Sequence, residues 1–398
     1  MRSAWRESSV PEPLGYLLAA LSGRALALAA HRAGRRAHVL DLFGDSDMRS
    51  HAAASRVVPG SLAQGFDEAA LLAAAEEIAP AGDPPRFGVV YGSGLEGRPE
   101  VLAGLCRGRA LYGNTPETVR RTKDPREFFA LLERLGLPHP ALRFAPPAEP
   151  SGWLVKRIGA SGGSHVAPAS DASPAGPDHY YQQRVPGRPV GVSFLADGRR
   201  AWVIGFGEQW PWRGGDGRTF LFGGSLQPAA IDPAIAAQIP GLLDALVAQL
   251  GLVGLNSLDM LVDGRAFSII EINPRPGANL DIFDQAGERS LFALHLRACE
   301  GELPESCPPM PHATAMAVVY AERPCAVPVE LEWPDWVVDR PAPGAVMEAG
   351  APVCTVLAAA PAAASVRALV DRRATAVLDR LTAVDTHSRS AADLAIGL

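Results

Sequence analysis

Lysine is almost missing from this chain: of 37 basic residues among 398, only Lys123 and Lys156 are not arginine. Chance survival is one reading of the pair. The other is that an ammonium, a compact point charge on a flexible stem, suits contact with phosphate oxygens in a tight site where a planar guanidinium would not fit. Cysteine is sparse too. Cys106, Cys299, Cys307, Cys325 and Cys354 are odd in number, scattered and without CxxC spacing, which argues against a disulfide framework or zinc site and for reduced thiols in a cytoplasmic protein. No block of like charge accompanies the net charge of −6, so neither a nucleic-acid nor a membrane surface is expected. Long apolar runs are absent as well. The run from Gly15 is interrupted by Ser22, Gly23 and Arg24, and the alanine-rich stretch from Val353 to Val366 is divided by Pro361, so no signal peptide or membrane span is expected. The loop Ser22 to Arg24 is not GxGxxG, no Cys/His pair stands out, and no internal repeat is visible.

What is present suggests an α/β protein of two or three domains, its 47% hydrophobic content being enough for substantial cores. "LGYLLAALS", "GRALALAAHRAG" and "RAHVLDLFGD" read as strand, helix and strand, and the alternation continues through "DEAALLAAAEEIA" and "RFGVVYGSG". Residues 1–113 are therefore expected to form a small parallel α/β domain. A second unit, 114–304, opens with a cap at Thr115 and a proline behind it, and its charged helical sequence runs on to Gly136. Within it, 151–187 carry a lysine-bearing strand and a glycine-rich loop, with 166–178 expected as a mobile surface loop. After a turn at Pro186-Gly187, residues 188–304 carry strands with a turn at Asp197-Gly198, a helix from Pro233 to Leu250, and a hairpin. Residues 305–398, short strands and a last helix, read as a separate lobe.

The chemistry concentrates where the apolar strand "FSIIEIN" ends. Glu271 and Asn273, two apart, project from one face, and both offer oxygen. Such a pair suits Mg²⁺, which usually takes few protein ligands when it accompanies a nucleotide. Asp259 on the preceding strand would fall on the opposite face across a two-residue turn at Asp263-Gly264, so the metal reading predicts a bulge or an odd loop. Lys156 shares an otherwise apolar strand face with Leu154 and Ile158, and the glycines that follow it could close over phosphates. Snorkelling of Lys156 to solvent is the competing reading.

Taken in order, these segments resemble the ATP-grasp ligases. "TKDPREFFALLERLGLPHP" is similar to the lysine-bearing linker helix, "WLVKRIGASGGSH" to the second lysine with its phosphate loop, "YYQQRVPG" to the hinge strand along adenine, and "LDMLVDGRAFSIIEINPRPG" to the metal-binding strand pair. The resemblance covers about residues 14 to 300. It implies an ATP-grasp fold behind an N-terminal parallel α/β domain, with a small C-terminal lobe. ATP would be contacted by Lys123, Lys156, Gly159, Ser161, Gly162, Gly163, Gln183 and Val185. Mg²⁺ (or Mn²⁺) would be held by Asp259, Glu271 and Asn273. Arg275 would meet the transferred phosphoryl group or a substrate carboxylate, acting with Lys156 in catalysis. The hinge departs from the family pattern, because Gln183 replaces a common acidic residue and Arg188, Pro189 and Val190 follow its glycine; the ribose contact is left unassigned.

The family's chemistry is activation of a carboxylate as an acyl phosphate, which an amine then displaces. Small-molecule carboxylate and amine substrates are thus implied as partners, with a homodimer as a possible assembly. The phrases "SGRALALAAHRAG", "DLFGDSD", "FGGS" and "EINPRPGANLDIFD" are most similar to the ligases of methanofuran synthesis, which join glutamate to tyramine. On that resemblance Arg275 could hold glutamate and Trp210, Trp212 and Phe220 could line a slot for a phenol, ordinary packing being the competing reading. Asn279 and Asp281 could bind an amine or be solvated loop residues. Another amino-acid ligase, a purine-synthesis carboxylase-like enzyme, and a nucleotide-binding regulator that has lost catalysis are the alternatives.

Overall fold

The computed structural model describes residues 12–174, 176–214 and 219–395. Its N-terminal part is a five-stranded parallel sheet in the spatial order Ala54–Val57, Ala37–Asp41, Gly15–Ala19, Phe87–Tyr91 and Ala110–Leu111. All five residues of the central Gly15–Ala19 strand are buried, which is why it reads as a continuous apolar run rather than an alternating one. The helices Arg24–Arg32, Glu68–Ile78 and Pro99–Cys106 join these strands. Asp67 caps the second of them, accepting from Ala70 N–H at 2.8 Å.

Thr115 caps the helix Pro116–Lys123 as its position before a proline suggests, accepting from Thr118 N–H. The charged helical sequence is not one helix, however. Pro125 pushes Asp124 out of the helical region to φ −77°, ψ 112°, so the first helix stops at Lys123 and Pro125–Arg134 forms a second one, capped by Asp124. The break leaves Lys123 in the final turn.

A four-stranded antiparallel sheet follows, in the order Val166–Pro168, Trp153–Arg157, His179–Gln183 and Leu142–Arg143. The segment 166–178 is therefore not wholly loop: Val166–Pro168 pairs with Lys156, Val155 and Leu154 as an edge strand, and Pro168 is tolerated because the edge is unpaired on its far side. Ala175 lies outside the described residues.

The largest sheet has eight antiparallel strands, ordered Ala266–Asn273, Val253–Asp263, Arg188–Asp197, Ala201–Pro211, Phe222–Gln227, Ala313–Tyr320, Pro352–Ala360 and Val337–Val338. The C-terminal lobe has an apolar core of its own, in which Val366, Val370 and Val377 of the last helix pack on Ala315, Val319 and Val356. Its strands are nevertheless no separate sheet. Ala313–Tyr320 bonds directly to Phe222–Gln227, so the lobe and the middle of the chain share one hydrogen-bonded surface. The helix Pro233–Leu250 is apolar and long enough to cross a membrane; Ile235, Ile239, Leu243 and Leu246 bury its inner face in the core beneath this sheet.

One buried amide ties the start of the second unit to its large sheet. Asn114 donates from Nδ2 to Asn256 Oδ1 at 2.8 Å and to Pro274 O at 2.9 Å, and its Oδ1 accepts from Val253 N–H at 2.8 Å. Asn114→Ala would leave those partners unpaired in the interior. A loss of about 3 kcal/mol is expected, read as a lower urea midpoint at unchanged m-value.

Candidate active site

The hairpin of Val253–Asp263 and Ala266–Asn273 pairs regularly from Asp263 with Ala266 to Met260 with Ile269. There the register shifts by one residue, so Asp259 faces Glu271. Regular alternation would have sent the two carboxylates to opposite faces, and this irregularity brings both, with Asn273, to one wall of a cavity of about 1020 Å³.

Both lysines of the chain come to that wall from separate elements. Lys123 donates from Nζ to Glu271 Oε1 and, at 2.8 Å, to Asn273 Oδ1. Asn273 Nδ2 passes the chain of bonds on to Asp259 Oδ2 at 2.8 Å, and Gln209 Nε2 holds Asp259 Oδ1 at 3.1 Å. Lys156 lies between Val166 and Tyr180 in its sheet, is 7% exposed, and its ammonium has no hydrogen-bond partner among the described residues. Desolvation lowers its pKa, against the pull of Glu271 and Asp259. For Glu271 desolvation acts upward, but the ion pair and hydrogen bond with Lys123, with Lys156 behind them, outweigh it and hold the carboxyl at about 2. Asp259 is pushed up to about 6 by desolvation and by Glu271.

The glycine-rich loop crosses over this wall. Gly162 and Gly163 have φ of 74° and 80°, and Ser161, Gly162 and Gly163 all line the cavity. Gly162 O accepts from Phe222 N–H at 3.1 Å, and a Cβ on Gly163 would lie 1.8 Å from Phe220 O. Gly163→Ala is thus expected to lift the loop from Phe220, at a cost of about 1–3 kcal/mol, and to speed amide exchange across 159–165. Gly159 does not line the main cavity; it packs on the N-terminal domain, where a Cβ would meet Gly97 Cα at 2.4 Å.

The remaining expected residues are divided. Arg275 lines the cavity, but its Nε is held by the buried carboxylate of Glu96 at 2.7 Å. Glu96 has no signal in the sequence, its partner being remote in the chain. Asn279 is close by, donating to Ser193 Oγ at 3.3 Å. Asp281 is not free to receive an amine, because both its oxygens accept from Arg24, one of them at 2.7 Å. Trp210 and Phe220 line the cavity, although Arg367 covers the Trp210 ring at 3.8 Å; Trp212 is turned away and packs on Tyr320. Gln183 and Val185 line the cavity at the hinge, but the Gln183 N–H is taken by Ala141 O, which leaves the Val185 backbone for a ligand.

Sequence reasoning missed two more groups. His165, just past the glycines, is half-buried on the cavity wall with its Nδ1 enclosed and unpartnered, and desolvation holds its pKa at about 4 despite Glu271. A lone histidine has no spacing pattern to single it out. Gly191 lets side chains press against the backbone beside the carboxylates: a Cβ there would meet Gln209 Nε2 at 2.6 Å and Asp259 Oδ1 at 3.2 Å.

Residues 122–279, the stretch holding both lysines, the glycine loop and the bulged hairpin, match the family model described as an ATP-grasp domain. The match covers about two fifths of the chain. Over 223 residues it is 27% identical to the carbamoyl phosphate synthase large chain of Deinococcus radiodurans, covering 49% of this chain and 21% of that one. The chain spans about a fifth of the length of the curated relatives it matches. The fold is similar to the biotin carboxylase domain of Hydrogenobacter thermophilus 2-oxoglutarate carboxylase, solved with MgADP, ADP and bicarbonate. The TM-score is 0.64 at 11% identity, over 87% of this chain and 86% of that one. It is similar over nearly its whole length to N5-carboxyaminoimidazole ribonucleotide synthetase of Thermus thermophilus, with TM-score 0.63 at 19% identity, over 92% of this chain and 98% of that one.

Proposed function

We propose that this chain is an ATP-dependent carbon–nitrogen ligase that activates a carboxylate and couples it to an amine. The observation that carries the reading is the convergence of the only two lysines of the chain on one ionised carboxylate, Glu271, beneath a glycine-rich loop. In the reaction a substrate carboxylate oxygen attacks the γ-phosphorus of ATP and ADP leaves; the amine nitrogen then attacks the acyl carbon, inorganic phosphate leaves, and the nitrogen gives a proton to solvent. Lys156 and Arg275 supply positive charge to the phosphoryl oxygens, while loop N–H groups around Ser161 to Gly163 hold the phosphates and exclude water. Val185 lies along the base.

The donor set fits Mg²⁺ or Mn²⁺ accompanied by phosphate oxygens and water. Asp259, Glu271 and Asn273 offer oxygen on one face. Bound there, the ion would neutralise charge developing on the β- and γ-phosphates. Lys123 now bonds Glu271 and Asn273, and it would turn to the nucleotide as those oxygens take the ion.

The finer reading is L-glutamate as the carboxylate and tyramine as the amine, as in methanofuran-type cofactor synthesis. It is supported by the sequence phrases cited above and by Trp210 and Phe220 on the cavity wall. The test is ADP release from MgATP with glutamate plus tyramine, other amino acids and amines, and bicarbonate. Release dependent on both glutamate and tyramine supports the finer reading, and release with another carboxylate–amine pair supports the ligase alone. Release with bicarbonate alone points to a carboxylase-like enzyme; nucleotide binding without release under every condition overturns the catalytic reading.

A further inference from the structure

A second set of carboxylates gathers at the same cavity, none of them paired with Lys123, Lys156 or Arg275. Asp41 accepts from the N–H groups of Gly23 and Gly44, at 3.3 and 3.0 Å. Asp47 accepts from those of Asp339 and Arg340, both at 2.9 Å. Asp281 is held by Arg24, and Asp339 by Arg24, Ser22 and Thr355. Asp45 is the exception. It is 4% exposed and lines the cavity, yet its side chain neither caps the helix Ser46–His51 that it precedes nor meets any other donor among the described residues. Burial first, then Asp339, Asp41 and Asp47, push its pKa up to about 8, with only Arg24 acting the other way. Arg24 has given all its charge to Asp281 and Asp339, so the region keeps an excess of negative charge and one acceptor with nothing to accept.

The walls nearby are apolar. Phe43 and Leu62 are among the large hydrophobic side chains most exposed in the described structure, and both line the cavity, as do Met316 and Val318 from the sheet. We propose that Asp45 receives a cationic nitrogen of the amine substrate, carried on an apolar or aromatic body that lies against Phe43 and Leu62. This names the chemistry of the second substrate and rests on the ligase reading. A buried acceptor made to pair with a cation discriminates strongly against a neutral analogue, because that analogue leaves the carboxylate unpaired.

The test is calorimetric titration of the full chain and of Asp45→Asn with tyramine, phenethylamine and cadaverine, each against its matched alcohol, in the presence of MgADP and in its absence. At least one amine is expected to bind the wild-type chain at least about tenfold more tightly than its alcohol, and Asp45→Asn to abolish that preference. The proposal is overturned if the preference survives in Asp45→Asn, if alcohol and amine bind alike, or if no amine of the set binds at millimolar concentration. MgADP binding is read in the same titrations. Its failure in the wild-type chain would count against the ligase reading, whereas the amine-over-alcohol ratio decides the role of Asp45 in either case.

Discussion

Lys156→Arg is expected to reduce ATP turnover by about a hundredfold or more, although the charge is retained. The ammonium is enclosed by Val166 and Tyr180 on the neighbouring strands and has no protein acceptor among the described residues, so its hydrogen-bonding capacity is kept for a ligand. A guanidinium is broader, spreads its charge over a plane and would have to displace the edge strand to enter the same place. Because the contact strengthens as charge develops on the transferred phosphoryl group, the loss should fall on kcat more than on KM. ADP release assayed at saturating MgATP checks this; near-normal kcat in the variant would remove the argument drawn from the two retained lysines.

Asp45→Asn is expected to make the protein more stable, by on the order of 3 kcal/mol at pH 8.5 and by little at pH 5. The sign follows from the raised pKa. Between the ordinary carboxyl value of 3.8 and about 8 the folded chain keeps a proton that the unfolded chain has released. Wild-type stability therefore falls as pH rises through that window, and the amide, which has no proton to lose, escapes the fall. Urea unfolding of both forms at the two pH values checks the difference. A variant that is sturdier but poorer at holding an amine is the pattern of a binding group kept at a cost to stability.

Much of this molecule is legible in its sequence because the signals are local. The parallel strands are short apolar runs between turn residues, the helix Pro233–Leu250 begins at a proline behind Asp232, and the hairpin turns at Gly264-Arg265, one residue beyond the expected Asp263-Gly264. The bulge at Asp259 follows from parity: Asp259 and Glu271 could not otherwise share a face. What stays hidden depends on residues far apart. Nothing around Asp281 announces that Arg24 will occupy it, and nothing around Arg275 announces Glu96. The split at Asp124 is legible in principle, since a proline restricts the residue before it, but the strongly helical sequence on both sides conceals it. That the C-terminal strands extend the central sheet is a matter of edge pairing, on which composition is silent.

Arg24 has a mechanical consequence. Its guanidinium is clasped by Asp281 on one side and by Asp339 on the other, and Asp339 is itself twisted to φ 55°, the sole such non-glycine residue among those described. Three distant stretches of chain are thereby riveted at a single point, 2% exposed. Parting them would strand ionised groups away from water, so that side of the chamber acts as a fixed jaw. The glycine-rich span from Gly159 to His165 has no such clasp: it is tied by backbone bonds, among them Phe222 N–H to Gly162 O, and by the packing of Gly159 on Gly97.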